Sequence, residues 1–494
     1  DPAFDPAFDP AFDPAAATAT ATGTASDPDL GSAAAPIPPA GFNAADPRHE
    51  MPEPVEETGI LLRTLLGLLA LMALAWIGGL ERVRRFEEML GVAGVVAVGV
   101  PFILIGVVAR QPAVGILTDH TLGLLTPLLQ FGLGWLGFLV GFRFDVRFLD
   151  RVPDGTALVV ALQTSLPFTV VFVACGALMA AFAGQPLDTT LLRDAIVLGT
   201  AGAMSAPRLG SSSGFAEFRT PGTDVVTLIE QFDEIACVVG LAFLTAYFRP
   251  AGEGFGWQLP GTAWLFVSIG MGAAVGLVIY TMIRRPVTNS EFFAIGIGSV
   301  AFTAGMAGYL WLSPIVVCFI AGALLTNLPL VGKERMWRVL ADLERPIFLV
   351  FLAVVGALWD VTDWRGWLLL PVFLVARIGG KWLSLIVVGR TVRGGKLLCR
   401  QPRRIVLARF STMAIAIVVS MQELYPGSTI RQVVTAVIGG AIVMELVDHF
   451  VGRFRPLGPA SPASAAAGPA GPGAPIESTE PSEPTELAGS QGAS

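Results

Sequence analysis

The chain is poor in charged residues, cysteine and histidine. Only 14% of its 494 residues are charged, against about 25% in soluble domains, which argues against a soluble globular protein. The four cysteines lack zinc-binding spacing, and Cys175, Cys237 and Cys318 lie in apolar runs, where we expect unpaired packing residues. The three histidines lie near segment ends or in a tail. With no nucleotide-binding loop, metal cluster or hydrolytic triad, the sequence indicates neither an enzyme nor a cofactor.

Long apolar segments dominate the sequence instead. The chain is 53% hydrophobic, with a mean hydropathy of +0.67. A helix needs about 20 apolar residues to cross roughly 30 Å of hydrocarbon. We expect an all-α polytopic membrane protein with about 13 transmembrane helices. The thirteen segments run approximately over residues 60–80, 92–109, 122–142, 156–182, 194–210, 223–248, 262–283, 291–309, 312–328, 345–360, 367–389, 405–424 and 431–452.

Two low-complexity tails flank these segments. Residues 1–58 open with the sequence DPAF three times and contain eleven acids against one base, Arg48. Residues 457–494 contain four acids and no base. Neither stretch can bury a core, so we expect both tails to be disordered and residues 59–456 to form the transmembrane domain. The net charge of −7 leaves that domain at +7.

Alternate loops between the segments differ strongly in basic charge. Lys and Arg excess marks the cytoplasmic side of a membrane protein. The poorer side has single bases, such as Arg110 and Arg249. We therefore expect an integral protein of the bacterial inner membrane, with the N-terminus outside and the C-terminus in the cytoplasm. The richer side carries Arg82–Arg85, Arg143–Arg151, Arg208 and Arg219, Arg284 and Arg285, Lys333–Arg338, Arg390–Arg404, and Arg453 and Arg455.

The sixth segment contains two adjacent acids, Asp233 and Glu234, near its middle. A carboxylate at that depth costs about 2.5–3.5 kcal/mol even on insertion scales. Such residues face a bundle interior or a water-filled cavity and mark ion or proton pathways. The alternative is that this segment is a core helix of a soluble protein, in which the acids take part in an ion pair. We favour an intramembrane site for protons and cations.

The fifth segment is interrupted in its second half, where it reads IVLGTAGAMSAPRLG. Pro207 lacks a backbone donor and disfavours helix at Ala206, which predicts a break near Met204–Ala206. Broken helices at membrane depth are tolerated where they line a cavity or a site. An ordinary proline kink is the alternative, but the break lies one segment before the acidic pair.

The eleventh segment buries two cations one helical turn apart, Arg377 and Lys381. At 1.5 Å per residue, Asp233 lies about 15 Å from the cytoplasmic end of its segment and Lys381 about 12 Å from the cytoplasmic end of its own. Opposite charges at similar depth are natural partners. Because a buried lysine changes protonation readily whereas arginine stays charged, we expect Lys381 to be functional and Arg377 to be structural or loop-facing.

Several short stretches of the sequence, taken in the order in which they occur, resemble the monovalent cation/proton antiporter superfamily, the sodium/proton exchangers. The resemblance covers about Ile60 to Phe454. FDEIACVVGLAFL is similar to the two-acid helix of the family, and ARIGGKWLS is similar to its lysine helix. Further phrases are LGVAGVVAVGVPFILIGVVARQPAVGIL, LLQFGLGWLGFLVGFRFD, YLWLSPIVVCFIAGALLTN, PIFLVFLAVVGALWD and ARFSTMAIAIV.

The resemblance implies the sodium/proton antiporter fold, with two inverted repeats and crossed broken helices. Segments one to six would repeat as eight to thirteen. Core helices would occupy about 156–248 and 367–452, and dimer-side helices about 60–142 and 291–360, with a linker helix at about 262–283. It also implies a homodimer in membrane lipid, with small residues at close helix contacts and no nucleic-acid partner. Candidates for such contacts are Gly296, Gly298, Gly322 and Ala323.

The resemblance also assigns site residues. Glu234 matches the acid that binds the monovalent cation or the proton, Asp233 matches the second acid of the electrogenic branch, and Lys381 matches the lysine partner of that acid. Met204 and Ser205 would line the site from the broken helix. Glu230, Arg377, Ser411 and Thr412 are supporting candidates.

Two residues depart from the family pattern. Glu234 stands where the family usually has Asp, and Met204 stands where it usually has Thr. Hard cations prefer oxygen to a thioether, so the choice between Na⁺ and K⁺ stays open. The predicted function is exchange of protons for a monovalent cation by alternating access, since close acids in a dry site do not readily both ionise. The alternatives are a sodium-coupled solute symporter of related fold, an ion channel, and a non-transporting sensor or scaffold.

Overall fold

The computed structural model describes nine stretches of the chain: residues 99–111, 119–146, 155–184, 188–206, 225–249, 259–284, 288–329, 333–391 and 406–454. The chain divides into two units, Asp1–Glu57 and Thr58–Ser494, and every described residue belongs to the second. The predicted first segment and both predicted tails lie outside the described residues.

The described residues form thirteen α-helices and no strand, in agreement with the predicted all-α class. The first predicted segment lies outside the described residues, the second corresponds to α1, and the third is divided between α2 and α3. Each of α4 to α13 therefore corresponds to the predicted segment of the same number. The helices are α1 (Val100–Arg110), α2 (Asp119–Leu124), α3 (Thr126–Arg143), α4 (Thr156–Ala183), α5 (Thr189–Ala203), α6 (Val225–Tyr247), α7 (Gly261–Ile283), α8 (Asn289–Tyr309), α9 (Pro314–Asn327), α10 (Lys333–Leu358), α11 (Trp364–Thr391), α12 (Thr412–Leu424) and α13 (Ser428–Phe454).

The outer surface of the helix assembly is apolar. Among the described helices, five are long and apolar enough to cross a membrane: α4, α7, α8, α11 and α13. Large hydrophobic side chains on them point outwards, including Phe266 on α7, Phe302 on α8 and Val375 on α11. A soluble protein rarely exposes contiguous apolar surface of this kind. The chain is therefore an integral membrane protein.

The helices pack in two groups. In the first, α3 packs along α9, α1 along α10, and α7 along α9. In the second, which also contains α12, helix α11 packs against α4 and α13, and α5 packs against α4. If each helix of one predicted repeat is replaced by its counterpart in the other, the α3–α9 pair becomes the α10–α1 pair, and the α4–α6 pair becomes the α11–α13 pair. All four pairs are in contact. The observed contacts thus follow the inverted-repeat arrangement.

Glycines allow the closest helix contacts in the first group. A Cβ at Gly356 would overlap the main-chain oxygen of Ile103, and one at Gly322 would overlap that of Phe138. Gly322 and its neighbour Ala323, which we expected at a dimer contact, therefore pack against α3 of the same chain. Around Gly298, in contrast, a Cβ would meet no atom within 4 Å, and the dimer prediction remains untested.

Two helices differ in extent from their predicted segments. Helix α10 begins at Lys333, about a dozen residues before the predicted start, because its first turns bury Met336, Trp337 and Leu340 beneath a charged face. Helix α12 begins at Thr412 rather than at 405, and residues 408–411 before it are not helical. This second difference shapes the site.

Candidate functional site

The two non-helical stretches next to α5 and α12 meet inside the second group. Helix α5 ends at Ala203, and Met204 has extended backbone with φ −70° and ψ 142°, in agreement with the predicted break. Ser411 is the N-cap of α12. The amide of Ala206 donates to the carbonyl of Arg409 across 3.0 Å. The breaks therefore touch, as crossed broken helices require.

Asp233 of α6 lies beside this crossing, with three hydrogen-bond donors around its carboxylate. The Nζ of Lys381 donates to Asp233 Oδ2 at 3.0 Å, and both side chains are almost fully buried. The hydroxyl of Thr164 on α4 donates to the other carboxylate oxygen, Oδ1. Ser205 Oγ lies 3.5 Å from Oδ2. The predicted pairing of Asp233 with Lys381 is thus present in the structure.

Glu234 points to a different partner, the N-terminus of α12. The hydroxyl of Ser411 donates to Glu234 Oε1 while accepting from the amide of Met413 at 3.1 Å. The first-turn amides of a helix favour a negative charge at this position. Glu234 also lies within electrostatic reach of Asp233, of Arg143 at the end of α3, and of Glu344 on α10. It is buried, with 8% of its surface exposed.

The guanidinium of Arg377 holds the two breaks together. It donates to the carbonyl oxygens of Met204 at 2.7 Å, of Ala408 at 3.1 Å and of Arg409 at 3.4 Å. Its face also stacks over the ring of Phe410, 4.1 Å from the centroid. Arg377 is fully buried, and its guanidinium faces the non-helical stretches before α12 and after α5, a position that fits the expected structural role.

The remaining predicted residues are placed less directly. Met204 is fully buried and offers the site a carbonyl and a thioether, and Glu230 is buried one turn before Asp233 on α6. Thr412 is the first residue of α12 and is partly buried. Within the described residues, the side chains of Met204 and Thr412 make no hydrogen bond to Asp233 or Glu234, whose partners are Lys381, Thr164, Ser205 and Ser411.

Prediction from the sequence missed the contribution of α4. Besides Thr164, this helix buries Gln163, whose Oε1 accepts from Ser384 on α11 at 2.8 Å. Among the described residues, the buried Nε2 of Gln163 has no hydrogen-bond partner. The signal was available, because Gln163, Thr164 and Ser165 form a polar run in a mostly apolar segment. Threonine often bonds to its own helix, which hides such a role.

Polar contacts also join the two helix groups. The Nε2 of Gln130 on α3 donates to Oε1 of Glu423 on α12 at 2.7 Å. A cavity of about 380 Å³ lies at the same level, lined by residues of both groups, including Leu129, Val354 and Arg431. Towards the opposite ends of these helices, Arg143 of α3 pairs with Glu344 of α10 at 3.2 Å. The two groups therefore share an apolar core, and the Gln130–Glu423 hydrogen bond joins them beside the cavity, whereas the Arg143–Glu344 pair lies within the first group.

Comparison with solved structures supports the fold, whereas no family model and no curated protein matches the sequence. Among solved structures, the sodium proton antiporter MjNhaP1 from Methanocaldococcus jannaschii at pH 8 matches with a TM-score of 0.55 and 15% identity, over 79% of this chain and 98% of that one. An electron-microscopy structure of the same antiporter matches with a TM-score of 0.50 and 14% identity, over 79% and 97%.

Proposed function

Because the chain has the sodium/proton antiporter fold, we propose that it exchanges protons for a monovalent cation across a membrane by alternating access. The observation that carries this proposal is the placement of Asp233 and Glu234 at the crossing of two broken helices. One acid is paired with a buried lysine, and the other is held by a hydroxyl at a helix N-terminus. Buried ionisable groups in this setting serve ion or proton pathways.

In the proposed exchange, cation and proton compete for the same groups. The Lys381 ammonium occupies Asp233 Oδ2, so a cation that binds Asp233 displaces it, and the uncompensated ammonium then releases a proton. Glu234 releases a second proton when its carboxylate also coordinates the bound cation. Two protons against one cation move one net charge per cycle. That charge couples the exchange to the membrane potential at about 2.3 kcal/mol per 100 mV.

Alternating access requires the second helix group to move relative to the first. Lys381 and the crossing lie on the second group, and both acids lie on α6, which packs against α4 and α5 of that group. The Gln130–Glu423 hydrogen bond joins the groups at one level, and Glu234 approaches the Arg143–Glu344 pair of the first group at another. The proposed orientation places the C-terminus in the cytoplasm, and the proposed assembly is a homodimer through predicted segments one to three and eight to ten.

The test is proton flux in proteoliposomes that contain a pH-sensitive dye. Addition of sodium, potassium or lithium to wild-type protein should produce proton movement, and Glu234→Gln should abolish it. Glu291→Gln is the matched control, because Glu291 is an exposed acid that caps the start of α8. Wild-type protein that gives no proton movement with any alkali cation would rule out the exchange.

One observation favours a second candidate, a non-transporting membrane sensor or scaffold. Met204 is fully buried at the crossing and brings a thioether where a cation needs oxygen. A sensor would bind protons or a cation without moving them. In that case the proteoliposomes stay silent, while the melting temperature of the purified protein still depends on cation concentration.

A further inference from the structure

The hydroxyl of Thr164 has two acceptors but a single proton. It donates to Asp233 Oδ1, and it also lies 3.0 Å from the carbonyl oxygen of Val160, one turn earlier in α4. A threonine hydroxyl carries one donor and two acceptor lone pairs. The proton can therefore turn between the Asp233 carboxylate and the Val160 carbonyl. When it turns to Val160, the lone pairs of the hydroxyl face Asp233.

This second orientation suits a bound cation. Hard monovalent and divalent cations are coordinated by oxygen atoms. A cation at Asp233 repels the hydroxyl proton and attracts the oxygen, and the Val160 carbonyl keeps the proton satisfied. Thr164 can thus change from donor to ligand without leaving a buried polar group unpaired, a state that is destabilising.

The broken helices offer fewer oxygens here than their geometry suggests. Unwound main-chain carbonyls commonly coordinate cations in transporters with broken helices. In this chain the carbonyls of Met204, Ala408 and Arg409 already accept from Arg377, and Ser205 reaches Asp233 only at 3.5 Å. The Met204 side chain contributes sulfur. The Thr164 hydroxyl on α4 is a further oxygen beside Asp233, and no arginine occupies it.

We propose that the hydroxyl of Thr164 is a ligand of the transported cation, acting together with the Asp233 carboxylate. This inference rests on the proposed exchange function. It assigns a ligand to α4, a helix outside the two crossed breaks. Thr164 is partly buried, whereas Asp233 is fully buried.

The alternative is that Thr164 merely bonds to its own helix. Thr169, five residues further along α4, provides the comparison, because its hydroxyl bonds to the Ser165 carbonyl at 2.8 Å and the residue is exposed. Thr169 makes the same local contact without the carboxylate. Thr169→Val therefore serves as the matched control for Thr164→Val.

The experiment compares wild-type protein with Thr164→Val, Thr164→Ser and Thr169→Val. Two readouts are used: the sodium concentration for half-maximal exchange in proteoliposomes, and the rise in melting temperature of detergent-purified protein when sodium chloride replaces choline chloride. Thr164→Val should raise the half-maximal sodium concentration by about 10-fold or more, because the variant loses a polar contact to a charged group. It should also abolish the sodium-dependent rise in melting temperature. Thr164→Ser and Thr169→Val should resemble wild type.

Three results would overturn the inference. The first is an unchanged half-maximal sodium concentration in Thr164→Val. The second is a lower maximal rate with unchanged sodium dependence, which indicates that Thr164 only positions Asp233. The third is an equal loss in Thr164→Ser, which indicates packing of the methyl group. If Thr164→Val does not fold, Thr164→Ala takes its place. Wild-type protein without exchange and without a sodium-dependent melting shift overturns the proposed function as well.

Discussion

The guanidinium of Arg377 donates to the main-chain carbonyl of Met204 across 2.7 Å, at the point where α5 unwinds. The same group donates to the carbonyls of Ala408 and Arg409, which precede α12. One side chain of α11 thereby satisfies carbonyls of both breaks. Unpaired main-chain groups at membrane depth cost several kcal/mol each, so Arg377 makes the crossing stable.

Replacing Arg377 with lysine should destabilise the protein although the charge is retained. Lysine presents a point charge rather than a planar fork, so it cannot serve carbonyls of both breaks. We expect a loss of about 2–4 kcal/mol, from one or two charge-assisted hydrogen bonds at about 1.5–3 kcal/mol each. The measurement is thermal unfolding in mild detergent. Arg365→Lys, at an exposed position on the same helix, should unfold as the wild type does.

The close packing of α1 on α10 leads to a second prediction. Gly356→Ala would place a Cβ against the main chain of Ile103, which cannot move aside as a flexible side chain could. We expect destabilisation by about 1–3 kcal/mol from overpacking. Gly305→Ala on α8, where a Cβ meets nothing within 4 Å, should be neutral or slightly stabilising because alanine favours helix. Equal melting temperatures for the two variants would contradict the packing.

A third prediction concerns Asp360, which lies in the connection between α10 and α11. The hydroxyl of Thr362 holds the pKa of the Asp360 carboxyl below its usual range, and Arg431 at 3.3 Å contributes in the same direction. Since the folded-state pKa is lowered, the carboxylate stabilises the fold above its unfolded pKa, and that stability is lost as the pH falls through the folded-state pKa. Asp360→Asn should therefore lower the melting temperature at pH 7. The difference should shrink steadily below about pH 4. A difference that is constant from pH 7 to pH 3 would contradict the assignment.

The sequence predicts the charged centre of the site because burial makes charge conspicuous. Asp233 and Lys381 stand out in apolar segments, and counting residues from the segment ends places them at similar depth. The helix break at Met204 is likewise visible, because proline restricts the residue before it. The charged pair follows from the cost of burying a charge in an apolar segment, and the break follows from the backbone restriction that proline imposes.

The parts that the sequence does not predict depend on long-range packing. Nothing local indicates that Arg377 spans two breaks, or that Thr164 turns towards Asp233 rather than only to its own helix. The placement of Gly322 within the chain rather than at a dimer contact also depends on the neighbour that its helix meets. Small residues permit close approach, but they do not specify whether the partner is the same chain or another copy.

The last prediction concerns the relation between Asp233 and Lys381, whose charged atoms lie 3.0 Å apart with both side chains almost fully buried. Removing one partner leaves an uncompensated buried charge, so Asp233→Ala or Lys381→Ala should destabilise by about 3–5 kcal/mol, less whatever water enters. The double variant Asp233→Asn with Lys381→Gln removes both charges and should recover much of that loss. The measurement is a double-mutant cycle on thermal unfolding, since residues in contact show non-additive effects.

The same double variant separates the roles of the two acids in the proposed exchange. With Asp233 and Lys381 neutral, Glu234 remains the titrating carboxylate that Ser411 holds. One proton then exchanges for one cation, and no net charge moves. Flux at clamped potentials should lose its dependence on voltage, which is worth about 2.3 kcal/mol per charge per 100 mV, while its dependence on pH persists. Additive stability losses together with unchanged voltage dependence would show that the pair neither stabilises the site nor sets the charge carried in each cycle.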